Sequence, residues 1–254
     1  MATRLRTDSG VGFFLKGIPA DDPAARLHAR ERVANLALGP TVPAPRMLWH
    51  ADIGGWVLQV FEFIDGARNA DLSPGSLDLP HVLDALSRLE GPGGALPAVA
   101  VNVELLQKTA AALLGENLPG SWWGMYAEAA AGLSPASLMG DRLLHYDLHS
   151  GNLLTVDEKI YVIDWSFACR GRAWIDAALL VPRLIEAGHS PVQAEALVAA
   201  HPGWREAPAD AVTGLGALWT MFREYKAIHG PEDARGFRVK AAQAGRAWIT
   251  YRTA

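Results

Sequence analysis

The sequence predicts an α+β protein in which a small β-rich part precedes a large, mainly helical part. Three segments, 12–18, 46–51 and 56–64, have the aromatic and β-branched composition of strands and are bounded by Gly, Pro or Asp. Farther along the chain, most apolar residues recur with helical period. A chain of 254 residues is long enough for two lobes that share a cleft. We therefore expect a β-rich lobe over 1–65 and a helical lobe over 66–254.

One helix is expected between the first two strands, in DDPAARLHARERVANLALG (21–39). Asp22 is the expected N-cap, Pro23 suits the first helical turn, and Gly39 ends the pattern. The residues before the first strand, TRLRTDSGVG (3–12), supply one further strand and a turn. The helix is therefore expected to have strands on both sides of it in the sequence.

The helical part follows a polar connection that contains Gly and Pro, at 64–76. Helices are expected over 80–90, 102–114, 122–132, 174–187, 191–200, 208–228 and 232–252. Within this part, NLLTV and KIYVID form the one strong strand pair, joined by Asp157 and Glu158. The second half of the protein is thus expected to be a helical lobe with a small hairpin inserted in it.

Composition narrows the classes of function. The net charge of −4 argues against a nucleic-acid-binding or membrane-surface protein, because both usually need a basic excess. The single cysteine, Cys169, cannot form an internal disulfide or a multi-cysteine zinc site, which fits a reducing compartment. No apolar stretch approaches the roughly 18 residues that span a bilayer. We expect a cytoplasmic protein that acts on a small molecule and has no nucleic-acid or membrane partner.

Polar residues concentrate in HYDLHSGNLLTVDEKIYVIDW (145–165). Phosphoryl transfer needs a carboxylate near the acceptor hydroxyl, and an oxygen donor with a second carboxylate to hold Mg²⁺. In protein kinases these groups follow the order His-x-Asp, then Asn five residues later, then Asp at the end of the next hairpin. His145, Asp147, Asn152 and Asp164 have this order and spacing.

A site of this kind also needs a strand lysine that holds the nucleotide phosphates and a helix glutamate that orients it. FFLKG offers Lys16 in an apolar strand, and the following helix offers Glu31. A lone strand lysine is more often an exposed edge residue, and a lone helix glutamate is more often a surface charge. Both residues precede the segment 145–165 in the order found in kinases, which favours a role in phosphate binding.

The combined pattern resembles the aminoglycoside phosphotransferase and choline kinase-like family, whose members are small-molecule relatives of the protein kinases. The resemblance rests on HYDLHSGNLL, YVIDW and GRAWIDAALL, with FFLKG, ARERVANLAL, PAPRML and VLQVFEFIDG in the expected order. It covers most of residues 10–190. It implies a two-lobed protein-kinase-like fold with a small, apparently shortened β-rich lobe.

The resemblance implies an ATP- and Mg²⁺-dependent phosphotransferase that acts on a hydroxyl group of a small molecule, such as an aminoglycoside, choline or another metabolite. Asp147 would orient or deprotonate the acceptor hydroxyl, and Asn152 and Asp164 would bind Mg²⁺. Lys16 and Glu31 would form the phosphate-holding ion pair. The hinge that meets adenine would comprise Glu62, Phe63 and Ile64. His145 and Asp176 would brace the loop.

Two departures from the family pattern stand out. The loop usually reads His-Gly-Asp, whereas Tyr146 replaces the glycine here. The family also has two strands and a nucleotide-covering loop before the lysine strand, whereas only fifteen residues precede Lys16. An upstream segment, a shortened form or genuine loss of the covering loop would each explain this, and weak ATP binding is expected. A noncatalytic kinase-like binding or regulatory module is therefore kept as the alternative function.

Two other kinds of active site, a metal centre and a Ser or Cys nucleophile, fit the sequence less well than a phosphotransfer site. His145, Asp147 and His149 alternate along an extended segment and could bind zinc or iron, but this leaves Asn152 and Asp164 without roles. Ser150 and Cys169 lack the surrounding motifs of catalytic nucleophiles.

The acceptor is the least determined part of the function. A cationic acceptor needs carboxylates or aromatic faces. Two sets of residues offer such a wall: Trp122, Trp123, Tyr126 and Glu128, or Trp219, Glu224 and Tyr225. The carboxyl-terminal segment is basic, with Arg235, Arg238, Lys240, Arg246 and Arg252. If that segment borders the acceptor site it disfavours a polycation, so an anionic or neutral hydroxylated metabolite is equally admissible.

Overall fold

A four-stranded antiparallel sheet forms the amino-terminal part of the computed structural model, which describes residues 1–116, 118–120 and 122–254. The strands are β1 (Ala2–Arg6), β2 (Gly12–Pro19), β3 (Met47–Ile53) and β4 (Trp56–Glu62), in the spatial order β1-β2-β4-β3. Lys16 pairs with Gln59 of β4. β1 and the turn after it agree with the strand and turn expected from TRLRTDSGVG.

Helix α1 (Ala25–Ala37) joins β2 to β3 and packs on the sheet. The buried Gln59 side chain donates to the carbonyl of His28 at 2.6 Å, which ties α1 to β4. The predicted N-cap at Asp22 is wrong, because its carboxylate accepts from the N–H of Ala24 at 2.8 Å and closes a turn before the helix begins.

The helices of the carboxyl-terminal part include all seven that the sequence predicts, to within a few residues. Their bounds are α2 (Leu79–Ser87), α3 (Ala100–Gly115), α4 (Trp122–Ala131), α5 (Pro135–Leu138), α6 (Trp174–Glu186), α7 (Pro191–Val198), α8 (Ala209–His229) and α9 (Arg235–Thr253). The single-turn α5 was not predicted. Helix α6 is buried from Trp174 to Leu184, which explains why WIDAALLVPRL is apolar nearly all round.

Short strands interrupt these helices, and in the described residues they are β5 (Arg68–Asn69), β6 (Arg142–Leu144), β7 (Leu153–Val156), β8 (Lys159–Val162) and β9 (Cys169–Gly171). The predicted hairpin is β7–β8, and positive φ at Asp157 and Glu158 forms the tight turn whose twist matches the strands. β6 pairs with β9, which the sequence did not predict because three residues are too few to show a period of two. Between β6 and β7 runs the loop that carries Asp147.

Candidate active site

The loop after β6 is held by a carboxylate on α6. Oδ2 of Asp176 accepts from the main-chain N–H of His145 at 2.8 Å, and Oδ1 accepts from that of Tyr146 at 2.7 Å. Asp176 is buried, and this burial raises the pKa of its carboxyl group, although the nearby His145 ring and the two hydrogen bonds oppose the shift. The loop backbone is therefore anchored to the most buried helix of the protein.

His145 links the loop to the hairpin. Its Nε2 lies 2.9 Å from the carbonyl oxygen of Ile163, and Nδ1 accepts from the N–H of Asp147 at 3.3 Å. Because Nδ1 accepts, the ring proton is assigned to Nε2. The ring also packs edge-on against Trp165 at 4.8 Å between centroids. His145 is fully buried, and its ring fixes the backbone at Asp147 and at Ile163, the residue before Asp164.

Tyr146 adopts the left-handed backbone conformation, with φ of 71°. Glycine reaches this region without steric cost, whereas a tyrosine does not. The position where the family pattern has glycine therefore has the backbone that favours glycine. The Tyr146 hydroxyl is buried and has no hydrogen-bond partner among the described residues, and burial raises the pKa of this phenol well above its ordinary value.

Asp147 lies on the helical side of the cleft, close to three cationic or titratable side chains. Its Oδ1 is 3.5 Å from Arg183 and 3.8 Å from Arg223, and its Oδ2 is 3.8 Å from Nε2 of His149. His149 Nδ1 accepts from the N–H of Gly151 at 3.0 Å and so caps the short helical turn over 150–152.

The sequence analysis did not identify Arg183 and Arg223 as site residues, although the sequence around each of them contains an indication. Arg183 stands in the apolar run LLVPRLIE, two turns after Asp176 on the same helix face, and only 4% of its side chain is exposed. A charge in a buried helical run is rare unless it is paired or functional. Arg223 follows the aromatic residues Trp219 and Phe222 on α8.

Asn152 and Asp164 are brought to the same end of the β7–β8 hairpin. The carbonyl of Asn152 accepts from the N–H of Ile163 at 3.0 Å, which sets Asp164 beside the start of β7. The Asn152 side-chain nitrogen donates to the carbonyl of Asp147 at 2.9 Å, so the amide oxygen is the atom left for a ligand. One carboxylate and one amide oxygen form a donor set that fits Mg²⁺, which prefers oxygen ligands.

Asp164 has a strained backbone, with φ of 62°. Its carboxylate contacts Nζ of Lys16 at 3.4 Å and accepts from the Ser166 hydroxyl. Partial burial opposes ionisation, but the Lys16 charge and the Ser166 hydrogen bond outweigh it, so the pKa of Asp164 lies below its ordinary value. The group is ionised at neutral pH and able to bind a cation.

Lys16 on β2 and Glu31 on α1 form a close ion pair. Nζ of Lys16 lies 2.7 Å from Oε1 and 2.9 Å from Oε2 of Glu31. Oε1 also accepts from the N–H of Trp165 at 3.3 Å, and only 3% of the Glu31 side chain is exposed. The lysine is thereby positioned between a helix glutamate and the Asp164 carboxylate.

A cavity of about 270 Å³ lies between the sheet and the β7–β8 hairpin. Lys16, Glu31 and Asp164 line it together with the predicted hinge residues, Glu62, Phe63 and Ile64. Its other walls are largely apolar and come from Phe14, Phe61, Leu154, Val162 and Ile163. A largely apolar cavity that also contains charged groups fits a purine base with its phosphates. We call it the donor cavity.

A second cavity of about 430 Å³ lies on the other side of α1 and contains Asp147. We call it the acceptor cavity; its lining residues on the helical side include Tyr146, Phe167, Trp219, Phe222 and Arg223. The structure thus brings Lys16, Glu31, Asp164 and the hinge residues to one cavity and Asp147 to a neighbouring one. Asn152 is in the lining of neither cavity, and its side chain is hydrogen-bonded to the carbonyl of Asp147.

The model of the phosphotransferase enzyme family matches residues 2–209, which is most of the chain. The chain belongs to the phosphotransferase enzyme family. This membership confirms both the predicted family and the predicted enzyme class, a small-molecule kinase. No curated protein matches the sequence of this phosphotransferase.

Solved structures similar to the phosphotransferase have the same fold at low identity. An aminoglycoside phosphotransferase from Alicyclobacillus acidocaldarius is 13% identical with a TM-score of 0.64, over 99% of this chain and 89% of that one. The choline kinase LicA from Streptococcus pneumoniae is 17% identical with a TM-score of 0.64, over 98% and 90%. LicA in complex with AMP is 17% identical with a TM-score of 0.64, over 99% and 88%. These likenesses confirm the predicted two-lobed kinase-like fold.

The zinc or iron alternative finds no support in the phosphotransferase. Both ring nitrogens of His145 already contact the protein, and residues 1–116, 118–120 and 122–254 contain no group of three or more His, Cys, Asp or Glu arranged to hold a metal. The Cys169 thiol is buried, and this burial raises its pKa, so it is not activated as a nucleophile.

None of the helices within residues 1–116, 118–120 and 122–254 has the length and apolar character that are needed to span a bilayer.

The first aromatic wall proposed for the acceptor is part of the helical packing. Tyr126 is fully buried, and Trp122 stacks under the guanidinium of Arg246 at 4.1 Å. Of the second wall, Trp219 lines the acceptor cavity, whereas Glu224 is paired with Arg246 at 2.6 Å. The basic carboxyl-terminal helix contributes no lining residue to this cavity in the described part of the phosphotransferase.

Proposed function

We propose that the protein transfers the γ-phosphoryl group of ATP to a hydroxyl group of a small molecule in the presence of Mg²⁺. The observation that carries this proposal is the convergence of Lys16, Glu31 and Asp164 in one cavity while Asp147 lies in the next. A donor nucleotide and an acceptor can then approach each other from the two cavities. Nucleotide complexes of proteins with the same fold, such as LicA with AMP, support the assignment of the donor cavity.

Each proposed residue has a defined task. Lys16, oriented by Glu31, would bind the phosphates of the nucleotide. Asp164 and the amide oxygen of Asn152 would hold Mg²⁺, which supplies positive charge that neutralises the phosphate oxygens. The hinge backbone at Glu62, Phe63 and Ile64 would contact the adenine base.

Asp147 would act on the acceptor. Its carboxylate would accept the proton of the acceptor hydroxyl while the hydroxyl oxygen forms a bond to the γ-phosphorus. The bond from that phosphorus to the bridging oxygen breaks, and ADP leaves with the electron pair. His145 and Asp176 would not touch the reactants; they are positioning residues that fix the backbone from His145 to Asp147.

Calorimetry of ATP binding with and without Mg²⁺ tests the donor site. We expect binding that needs Mg²⁺ in the wild type and its loss in Asp164→Ala. Asp147→Asn should still bind ATP but lose turnover on any acceptor, because its task is limited to the acceptor side. Asp141→Asn is the matched control, since Asp141 is an exposed carboxylate that pairs with Arg170 on the surface.

Two outcomes would contradict the proposal. If ATP does not bind to the wild type, the nucleotide assignment fails and the noncatalytic module is favoured. If Asp164→Ala binds ATP with unchanged dependence on Mg²⁺, Asp164 is not the metal ligand.

A further inference from the structure

The acceptor cavity has an excess of positive charge. Its lining includes four basic side chains, those of Arg26, Arg30, Lys108 and Arg223, against two carboxylates, those of Glu104 and Asp147. Lys108 and Glu104 neutralise each other on the surface at 2.8 Å. What remains is three guanidinium groups and the single carboxylate of Asp147.

Arg223 is a buried cation with incomplete pairing. Its closest carboxylate oxygen, on Asp147, is 3.8 Å away, and its Nε is buried with no hydrogen-bond partner among the described residues. Only 16% of the side chain is exposed. Burial lowers the pKa of Arg223 to about 10, so the group still carries its charge at neutral pH. Burying a charge is costly unless it is paired, which indicates that a ligand supplies the missing anion.

Arg183 differs from Arg223 because it has two acidic partners, Glu186 at 3.2 Å and Asp147 at 3.5 Å. Arg30 is also fixed in place, since it donates to Oδ1 of Asn102 at 2.7 Å. That partner is neutral, so the Arg30 charge is not compensated by this contact. Tyr146 also lines this cavity, although its hydroxyl oxygen is buried.

Cations of the protein already lie over Trp219, an aromatic residue of the acceptor cavity. A quaternary ammonium group binds against the face of an aromatic ring. The Trp219 ring already has the guanidinium of Arg183 at 5.1 Å and that of Arg223 at 4.9 Å from its centroid. A cationic substrate would displace or repel these groups.

We propose that the acceptor is an anion, namely a hydroxylated metabolite whose carboxylate or phosphate group binds at Arg223 while its hydroxyl group lies at Asp147. Guanidinium groups bind carboxylate and phosphate in a two-pronged geometry, which provides both affinity and orientation. Arg30 lines the same cavity and adds a second guanidinium group. This inference rests on the proposed function and adds the charge class of the substrate.

The test measures binding of four small hydroxylated probes by calorimetry: glycerate, glycerol 3-phosphate, glycerol and choline. The protein is saturated with ADP and Mg²⁺, so that the anionic probes cannot occupy the donor cavity. We expect the two anions to bind, and glycerol and choline to bind at least about tenfold more weakly. The anion that binds more tightly shows whether the site recognises a carboxylate or a phosphate group.

Variants at Arg223 provide the matched comparison. Arg223→Gln should weaken binding of the anions roughly 10- to 100-fold, as expected for loss of a charged hydrogen bond, and Arg223→Lys should weaken it less because the charge remains. Arg88→Gln removes a half-exposed arginine at the end of α2 and should leave anion binding unchanged. Thermal unfolding of each variant checks that it is folded.

The inference is overturned if neither anion binds to the wild type, if choline binds more tightly than the anions, or if folded Arg223→Gln binds the anions as the wild type does. Affinity for ADP, measured in the same series, separates this failure from failure of the proposed function. Tight ADP binding without anion binding would refute only the charge class, whereas absence of both would refute the phosphotransfer site as assigned.

Discussion

The main-chain N–H of Tyr146 donates a 2.7 Å hydrogen bond to Oδ1 of Asp176, thirty residues later in the chain. Oδ2 of the same carboxylate accepts from the N–H of His145. Because Asp176 and His145 are buried, the carboxylate satisfies backbone groups in a region that is largely shielded from water. The conformation of the loop at Asp147 therefore depends on a residue that does not touch the reactants.

Replacement of Asp176 should destabilise the protein and lower its activity. Asp176→Ala leaves two buried N–H groups without acceptors, for which we expect a loss of about 2–4 kcal/mol in the free energy of unfolding. Asp176→Asn keeps one acceptor oxygen and should lose less. Urea unfolding measures this difference, and a fall in kcat with little change in nucleotide affinity marks a positioning role. Equal stability of Asp176→Ala and the wild type would refute this role for the carboxylate.

The Lys16–Glu31 pair should be more sensitive to loss of one partner than to loss of both. Lys16→Met leaves the buried Glu31 carboxylate without its counterion, and we expect a loss of about 2–4 kcal/mol in the free energy of unfolding. The double variant Lys16→Met with Glu31→Leu removes both charges and should recover part of that stability. Both proteins should lose ATP binding. A double variant that is less stable than Lys16→Met would show that charge pairing is not the cause.

The buried hydroxyl of Tyr146 should not contribute to stability. Tyr146→Phe removes an unpartnered polar group and keeps the ring, so the free energy of unfolding should stay the same or rise by up to about 1 kcal/mol. Tyr251→Phe, at an exposed position on α9, controls for the chemical change alone. A clear loss of stability in Tyr146→Phe would mean that the hydroxyl has a partner in the folded protein.

His201 should make the protein less stable in mild acid. Burial lowers the pKa of His201, although the nearby Glu90 raises it, and Nδ1 accepts from the N–H of Gly203 at 3.2 Å. As the pH falls through the ordinary histidine pKa of about 6.5, the unfolded chain takes up a proton that the folded protein resists. The unfolded state then binds more protons than the folded state. The free energy of unfolding therefore decreases as the pH is lowered through this window.

His201→Asn isolates this contribution. Asparagine is a good N-cap and can accept from the same N–H, but it does not titrate. Between about pH 7.5 and pH 5.5 the wild type should lose more stability than His201→Asn, because only the wild type contains this titrating group. Chemical unfolding at the two pH values measures the difference. Parallel losses in the two proteins would exclude His201 as the cause.

The sequence predicted the parts of the site that depend on local structure. Lys16 lies on a strand, Glu31 on the next helix and Asp164 at the end of a hairpin, and each of these elements has a clear pattern of its own. Spacing along such elements translates directly into positions in space, and for that reason the order of the motifs was informative.

The acceptor side could not be predicted in this way. Arg183 and Arg223 reach Asp147 from α6 and α8, and their approach depends on how distant helices pack rather than on any local pattern. The alternative wall at Trp122 packs against the helical core, and the sequence could not show this because aromatic side chains with helical spacing look alike whether they line a pocket or fill a core. The left-handed backbone conformation of Tyr146 could not be predicted either, because tyrosine as a residue type does not indicate it.

Helix α1 lines both the donor and the acceptor cavity, with Glu31 and Asn35 at the first and Arg26 and Arg30 at the second. No described residue lines both. Under the proposed assignment, substitutions on α3 or α8 would change which molecule is modified and leave the phosphate source undisturbed. A protein divided in this manner can acquire new substrates through few mutations, and inhibitors can be directed to either half independently.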